Sequence, residues 1–293
     1  MKAPRVVCIG GGHGLSAALG AAIRITSAVT AIVTVADDGG SSGVLRKQLG
    51  MSPPGDLRMA LAALAGDPDR AALLQYRFQE GELAGHPLGN LLIAAVADVE
   101  KDFVRAIEDV ARLIDARGRV LPAAGAPLTL HATVDGLPLR GQVAIATSGG
   151  PIERIWVEPA GPATPDAIEA VGEADLVILG PGSLFTSVVA ALVVGDLAKA
   201  VAGASRAIFV MNLREQPGET AHLNARAHVE ALTAHCPGLR LAAVVAHNGK
   251  PAGPHPLRVE PADIAPVPLI QADLASGGLH DPEKLATALK TVL

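Results

Sequence analysis

The chain has 293 residues, of which 49% are hydrophobic and 2% aromatic, and its formal net charge is −5. The negative charge and the scarcity of rings argue against proteins that bind nucleic acid or anionic lipid through a basic or aromatic surface. Two cysteines give no disulfide framework, and no apolar run reaches the ~20 residues of a membrane span. We therefore predict a cytoplasmic protein without membrane or nucleic-acid partners.

Short apolar segments alternate with Ala-rich amphipathic segments, which is the pattern of βαβ units. The first part is predicted to hold strands at 5–9 and 30–36, and helices at 15–25, 56–65, 87–99 and 103–116. The last part is predicted to hold strands at 176–179, 207–211 and 239–246, and helices at 165–174, 184–194, 221–234 and 280–292. This order predicts one α/β domain over residues 1–293, with a Rossmann-like, mostly parallel sheet and helices on both faces.

Residues 119–160 differ from the rest, because short β-rich segments are separated there by DG, GG and Pro. We predict strands at 128–134, 142–146 and 152–158. Turn dipeptides between such short segments are typical of antiparallel hairpins. The region is therefore predicted to form a small β-rich insertion in the domain.

The first predicted strand ends in GGGHG, residues 10–14. Gly12, Gly14 and Ala17 have the spacing of the dinucleotide fingerprint, in which bare backbone and a helix N-terminus approach phosphate. Gly11 and His13 complete the candidate phosphate-binding group. The alternative is a tight strand-to-helix turn without a ligand.

The second predicted strand runs into TVADDGGSSG, residues 34–43. Asp37, Asp38, Ser41 and Ser42 are ligand candidates, because an acid at this position holds ribose hydroxyls in Rossmann folds. Asp37 and Asp38 are also the candidates for Mg²⁺ ligands and for catalytic groups. The alternative is a polar turn in which Asp38 caps a helix near Ser42.

Two further helix entries carry polar residues. In SPPGDLR, Asp56 is predicted as an N-cap, which leaves Arg58 in the first turn to point at phosphate. In GHPLGN, His86 and Asn90 are candidates to face a ligand. In each case a structural capping or packing role is the alternative.

A second glycine-rich exit, GPGSLFTS, follows the strand at 176–179, and NLREQPGET follows the strand at 207–211. The first has the form of another phosphate cradle, with Gly182, Ser183 and Thr186 in or near the first turn. It is not a Walker loop, because no Lys follows the last Gly. With Asn212, these residues lie at the carboxyl ends of predicted parallel strands. Together the exits favour a phosphorylated nucleoside ligand.

The motifs GGGHGLS, AIVTVADDGGSSGVLR, PPGDLR, GHPLGN, GPGSLFTS and NLREQPGET, in this order, resemble the gluconeogenesis factor (YvcK-like) family. That family belongs to the CofD-like superfamily, which includes the 2-phospho-L-lactate transferases. The resemblance implies a Rossmann-like fold and a bacterial cytoplasmic protein needed for growth and cell shape on gluconeogenic carbon sources. It also implies a link to peptidoglycan precursors and binding of UDP-sugars such as UDP-N-acetylglucosamine.

The chain departs from the family pattern at three places, where His13, Met59 and Ala190-Ala191 replace the usual Thr, Asn and Pro-Asn. These departures predict an altered choice of ligand. The large apolar fraction predicts a homodimer.

The favoured hypothesis is a non-catalytic regulator that binds a nucleotide sugar. The alternative is a Mg²⁺-dependent transferase that resembles the 2-phospho-L-lactate transferases and uses a GDP-type carrier. An NAD-dependent dehydrogenase ranks last, because the glycine fingerprint has no catalytic His–acid or Tyr–Lys signature beside it.

Overall fold

The computed structural model describes residues 3–221 and 223–293. Its strands are β1 (Arg5–Gly10), β2 (Ala28–Val33), β3 (Arg119–Pro122), β4 (Thr129–Val134), β5 (Leu137–Arg140), β6 (Ile152–Glu158), β7 (Leu176–Leu179), β8 (Ala207–Val210), β9 (Leu241–His247), β10 (Leu269–Ala272), β11 (Ala275–Ser276) and β12 (Leu279–His280).

The helices of the first half are α1 (Gly12–Ala22), α2 (Gly40–Leu49), α3 (Gly55–Leu64), α4 (Pro68–Gln75), α5 (Leu88–Glu100), α6 (Phe103–Leu113) and α7 (Gln142–Ala146). Those of the second half are α8 (Pro165–Gly172), a π-helix (Leu184–Val189) continued by α9 (Ala190–Leu192), α10 (Leu197–Ala202), α11 (Ala225–His235), α12 (Pro261–Ile264) and α13 (Pro282–Leu289). None of these helices is long and apolar enough to cross a bilayer.

Within the described residues, seven parallel strands form the main sheet, in the order β10–β9–β8–β7–β1–β2–β3. The central strands β1, β7 and β8 are almost wholly buried, as expected for a parallel sheet covered by helices on both faces. The predicted Rossmann-like α/β fold is therefore confirmed. The chain moves outward from β1 to β3 and then returns to β7, so the topological switch point lies between β1 and β7.

The β-rich insertion is smaller than predicted. Residues 119–122 form β3 at the edge of the main sheet, and the separate antiparallel sheet contains β5, β4 and β6. The predicted strand at 142–146 is wrong, because these residues form the short helix α7. The backbone N–H of Val143 donates to Asp38 Oδ1 at 3.0 Å, so a distant carboxylate stabilises the start of this helix.

Two other predicted helices begin later than expected. The helix predicted at 221–234 includes residue 222, which lies outside the described residues, and α11 begins at Ala225 after Asn224 caps it. The helix predicted at 280–292 begins at Pro282, because Leu279 and His280 pair with Ala275 and Ser276 in a hairpin.

Candidate functional site

A cleft of about 720 Å³ opens at the topological switch point, outside the carboxyl ends of the central strands. Its walls come from the loops after β1, β7 and β8, from the start of α3 and from the turn around β12. Eight of the residues predicted from the sequence line it: Gly11, Gly12, His13, Gly14, Asp56, Gly182, Ser183 and Asn212. The structure thus brings together the two glycine-rich exits, as parallel sheets of this topology do with their ligand loops.

The two glycine-rich loops touch through their backbones. A Cβ atom on Gly14 would lie 2.3 Å from the carbonyl oxygen of Pro181 and 2.6 Å from the nitrogen of Gly182. A Cβ on Gly11 would lie 2.2 Å from Asp56 Oδ2. Glycine at these positions is therefore what allows the β1 loop, the β7 loop and α3 to meet around one cleft.

The first turn of α1 presents backbone donors to this cleft. Its N-cap is Gly11, which offers no side-chain acceptor. The N–H of Gly12 donates to the carboxylate of Asp56. Among the described residues, the N–H groups of His13 and Gly14 have no acceptor. Because a helix N-terminus also carries the positive end of the helix dipole, this turn is suited to an anion.

The start of the π-helix, predicted as a second phosphate cradle, is already occupied by a carboxylate of the chain itself. The N–H groups of Phe185 and Thr186 donate to Glu219 Oε2 at 3.1 and 3.3 Å, and the Thr186 hydroxyl donates to Glu219 Oε1. Burial raises the pKa of Glu219, which is 7% exposed, and these hydrogen bonds oppose the rise. Thr186 is therefore directed at Glu219 rather than at the cleft.

Asn212 lies in the loop after β8 and holds the neighbouring loop after β7 in place. Its Oδ1 accepts from the N–H of Gly182 at 2.9 Å, and its Nδ2 donates to the carbonyl of the same residue at 2.8 Å. Gln216 Nε2 donates to Ser183 Oγ at 2.8 Å. Gln216 was not a sequence candidate, although it lies in the NLREQ motif four residues after Asn212. These three bonds hold the glycine-rich loop against the cleft.

The charge of Asp37 acts on two other carboxylates, that of Asp56 and that of its neighbour Asp38. Pro54, rather than Asp56, is the N-cap of α3, so the Asp56 carboxylate is free to reach Gly12. Burial, and then the charge of Asp37, raises the pKa of Asp56 to about 7. Burial also raises the pKa of Asp37, although the N–H of Gly39 donates to its Oδ1 at 2.9 Å.

The other residues of the acidic segment have structural contacts. Asp38 binds the start of α7 through Val143. Ser42 is buried beside Asp37 and donates a hydrogen bond that lowers its pKa. Both side chains therefore stabilise the segment that carries Asp37.

Four predicted residues meet in a separate polar network between α2, α3 and α5. Arg58 Nε donates to Asn90 Oδ1 at 3.0 Å, and Arg58 also donates to Gln75. Because Arg can only donate, the amide of Asn90 is oriented with Nδ2 toward Ser41 Oγ, at 3.1 Å. The Ser41 hydroxyl proton is then available to His86 Nδ1, at 2.8 Å. These residues orient one another and lie outside the lining of the cleft.

Replacing Asn90 with alanine is expected to lower the free energy of unfolding by about 2–4 kcal/mol. Arg58 is 6% exposed, and burial lowers its pKa to about 10, so its guanidinium would lose an acceptor that water cannot easily replace. Urea unfolding at pH 7.5 measures the change. The matched control is Asn248→Ala, at an exposed position, which is expected to change stability by less than about 0.5 kcal/mol. Equal effects of the two variants would contradict the network.

The sequence profile of a family described as "2-phospho-L-lactate transferase CofD" matches residues 6–265. The chain belongs to the CofD family. A Mycobacterium leprae protein, provisionally named a gluconeogenesis factor, is 46% identical to this CofD-family chain over 311 residues, covering 99% of the chain and 86% of the relative.

Two further relatives support the same grouping. The Bacillus subtilis gluconeogenesis factor is 43% identical over 237 residues, covering 79% of this chain and 75% of the relative. The crystal structure of a UPF0052 family protein from Bacillus halodurans matches with a TM-score of 0.93 at 34% identity, covering 99% of each chain. This CofD-family protein is thus a member of the gluconeogenesis factor group, and the resemblance seen in its motifs is confirmed.

Proposed function

We propose that the cleft binds a nucleotide-diphosphate-linked sugar, of which UDP-N-acetylglucosamine is the first to test. The observation that carries the proposal is the first turn of α1, whose N–H groups at His13 and Gly14 face a polar cleft beside Gly182. In Rossmann folds this position holds a diphosphate. The cleft volume of about 720 Å³ is in the range of small-molecule sites.

We further propose that the protein is a cytoplasmic, non-catalytic regulator of growth and cell shape on gluconeogenic carbon sources. The support is the group of relatives named gluconeogenesis factor. The cleft adds a second argument: its hydroxyl and amide groups, on Ser183 and Asn212, are already engaged in holding the β7 loop. Their contacts suit a rigid binding surface.

We also propose that Asp56, in the wall of the cleft, and Asp37, whose charge acts on it, hold a Mg²⁺ ion shared with the ligand. No group of three or more His, Cys, Asp or Glu side chains among the described residues is arranged to hold a metal by itself. Mg²⁺ commonly uses one or two carboxylates, water and the phosphates of its ligand, so two carboxylates are sufficient. Burial and the charge of Asp37 raise the pKa of Asp56, so negative charge at this position is unfavourable in the ligand-free protein. A bound cation would supply positive charge beside these carboxylates and would offset the negative charge of the diphosphate.

Isothermal titration calorimetry tests this proposal. UDP-N-acetylglucosamine is expected to bind the wild-type protein more tightly with Mg²⁺ than without it, and free N-acetylglucosamine is expected to bind at least tenfold more weakly. Asn212→Ala, which releases Gly182, is expected to weaken binding about tenfold, whereas the surface control Asn248→Ala retains it. Titration with NAD tests the dinucleotide alternative. No heat at millimolar UDP-N-acetylglucosamine would refute the proposal.

One observation favours a second candidate, a transferase acting on a nucleotide-diphosphate-linked donor. Asp56 has a pKa of about 7 and lies in the wall of the cleft, so it changes protonation near neutrality, as a general base does. Incubation with a GDP-linked phospholactate donor, a deazaflavin acceptor and Mg²⁺ tests it. Turnover by the wild-type protein that is lost in Asp56→Asn would show that the protein is an enzyme and not a non-catalytic regulator.

A further inference from the structure

A second cavity of about 460 Å³ adjoins the cleft, and we call it the side chamber. Its walls include Ala146, Glu215, Gly218 and His255. It shares Ser183, Arg214 and Gln216 with the cleft, so these residues border both spaces. A ligand whose diphosphate lies at α1 could therefore extend past Ser183 into the side chamber.

Arg214 is held at the boundary between the two spaces by its backbone. The N–H of Leu257 donates to the carbonyl of Leu213 at 3.2 Å, and the N–H of Glu215 donates to the carbonyl of His255 at 2.9 Å. Arg214 thus pairs with Pro256 in an antiparallel bridge. Leu213 is 4% exposed and packs inward, so the alternation of an extended segment turns Arg214 outward.

The surroundings leave the guanidinium of Arg214 available. A Cβ on Gly253 would lie 2.7 Å from Arg214 Nη1, so glycine at this position makes room for the side chain. Among the described residues, 3–221 and 223–293, no ion pair includes Arg214. The carboxylate of Glu219, although it borders the chamber, is directed at Phe185 and Thr186. Of the residues that border both spaces, Arg214 is the charged one, whereas Glu215 is a carboxylate of the chamber wall.

We propose that the side chamber receives the sugar of the ligand and that Arg214 pairs with a carboxylate on that sugar. The proposal rests on the proposed function, because it assumes that the nucleotide diphosphate occupies the cleft. Arg and carboxylate match in planar, two-pronged geometry. The preferred class of ligand is then a nucleotide-diphosphate-linked sugar acid rather than a neutral nucleotide sugar.

UDP-glucose and UDP-glucuronic acid form a matched pair of probes, because they differ only in a hydroxymethyl group and a carboxylate on the sugar. In calorimetry with Mg²⁺ at about 50 mM salt, the wild-type protein is expected to bind UDP-glucuronic acid about tenfold more tightly. Arg214→Gln is expected to remove this preference and to leave the affinity for UDP-glucose unchanged. Arg240→Gln, an exposed charge before the amino end of β9, controls for net charge and is expected to keep the preference.

Each other outcome overturns the inference in a recognisable way. If the wild-type protein binds both sugars equally, the side chamber does not read a carboxylate, while the proposed function stands. If Arg214→Gln weakens both ligands equally, Arg214 contacts the diphosphate instead. If neither ligand binds the wild-type protein, the inference fails, and the proposed function fails with it only if UDP-N-acetylglucosamine gives no heat either.

Discussion

Replacing Gly14 with alanine is expected to lower the free energy of unfolding by roughly 2–4 kcal/mol and to abolish ligand binding in the cleft. The new Cβ would lie 2.3 Å from the carbonyl oxygen of Pro181 and 2.6 Å from the nitrogen of Gly182. Both are backbone atoms, so no side-chain rotation can relieve the clash. The β1 and β7 loops would have to separate, and the movement would displace the N–H groups proposed to bind the diphosphate.

The neighbouring glycine supplies the control for this experiment. A Cβ on Gly12 would meet no atom within 4 Å, and its φ of +63° is the main obstacle to a side chain. Gly12→Ala is therefore expected to lower stability by only about 1 kcal/mol. Urea unfolding and calorimetry with UDP-N-acetylglucosamine compare the two variants. If Gly14→Ala is no worse than Gly12→Ala in both measurements, the β1 and β7 loops do not touch at Gly14.

The meeting of the two glycine-rich loops is the part of the site that the sequence predicts best. The segments before Gly11 and before Gly180 are short apolar strands, and the carboxyl ends of parallel strands lie at one edge of a sheet. Local pattern and a general rule of topology are then sufficient to place Gly14 near Gly182. No partner from elsewhere in the chain has to be identified first.

The sequence does not predict the roles of the acidic residues, because these roles depend on contacts with residues far away in the chain. Thr186 and Glu219 are 33 residues apart, and Asp38 and Val143 are 105 residues apart. A glycine-rich turn that binds phosphate and one filled by a carboxylate of its own chain have the same local sequence. The same limit applies to β3, whose four residues carry no signal that distinguishes the main sheet from the adjacent insertion.

Replacing Asp56 with asparagine is expected to raise the stability of the ligand-free protein by roughly 1–3 kcal/mol at pH 8. Burial and Asp37 raise the pKa of Asp56 from 3.8 to about 7, so between these values the folded protein binds a proton that the unfolded chain releases. The free energy of unfolding contributed by Asp56 is therefore fully present below about pH 4 and is lost as the pH rises through about 7. Asparagine keeps the acceptor for Gly12 but does not ionise.

Urea unfolding from pH 4 to 8 measures this difference. The gap between Asp56→Asn and the wild-type protein is expected to widen as the pH rises. The control Asp69→Asn, at an exposed position, is expected to change stability by less than about 0.5 kcal/mol. Because other acids titrate in both proteins, only the difference between them reports on Asp56. A gap that does not change with pH would show that the carboxylate is not destabilised by burial beside Asp37.

The same substitution tests whether the carboxylate of Asp56 has a role in ligand binding. If Asp37 and Asp56 share a cation with the ligand, Mg²⁺ and UDP-N-acetylglucosamine should stabilise the wild-type protein and should stabilise Asp56→Asn much less. The Asp56→Asn variant would then be more stable than the wild-type protein without ligand, and it would lose that advantage when ligand is added. Thermal unfolding at saturating ligand measures the reversal. Equal stabilisation of both proteins would leave Asp56 without a role in binding, and its unfavourable charge in the cleft wall would then have no functional reason.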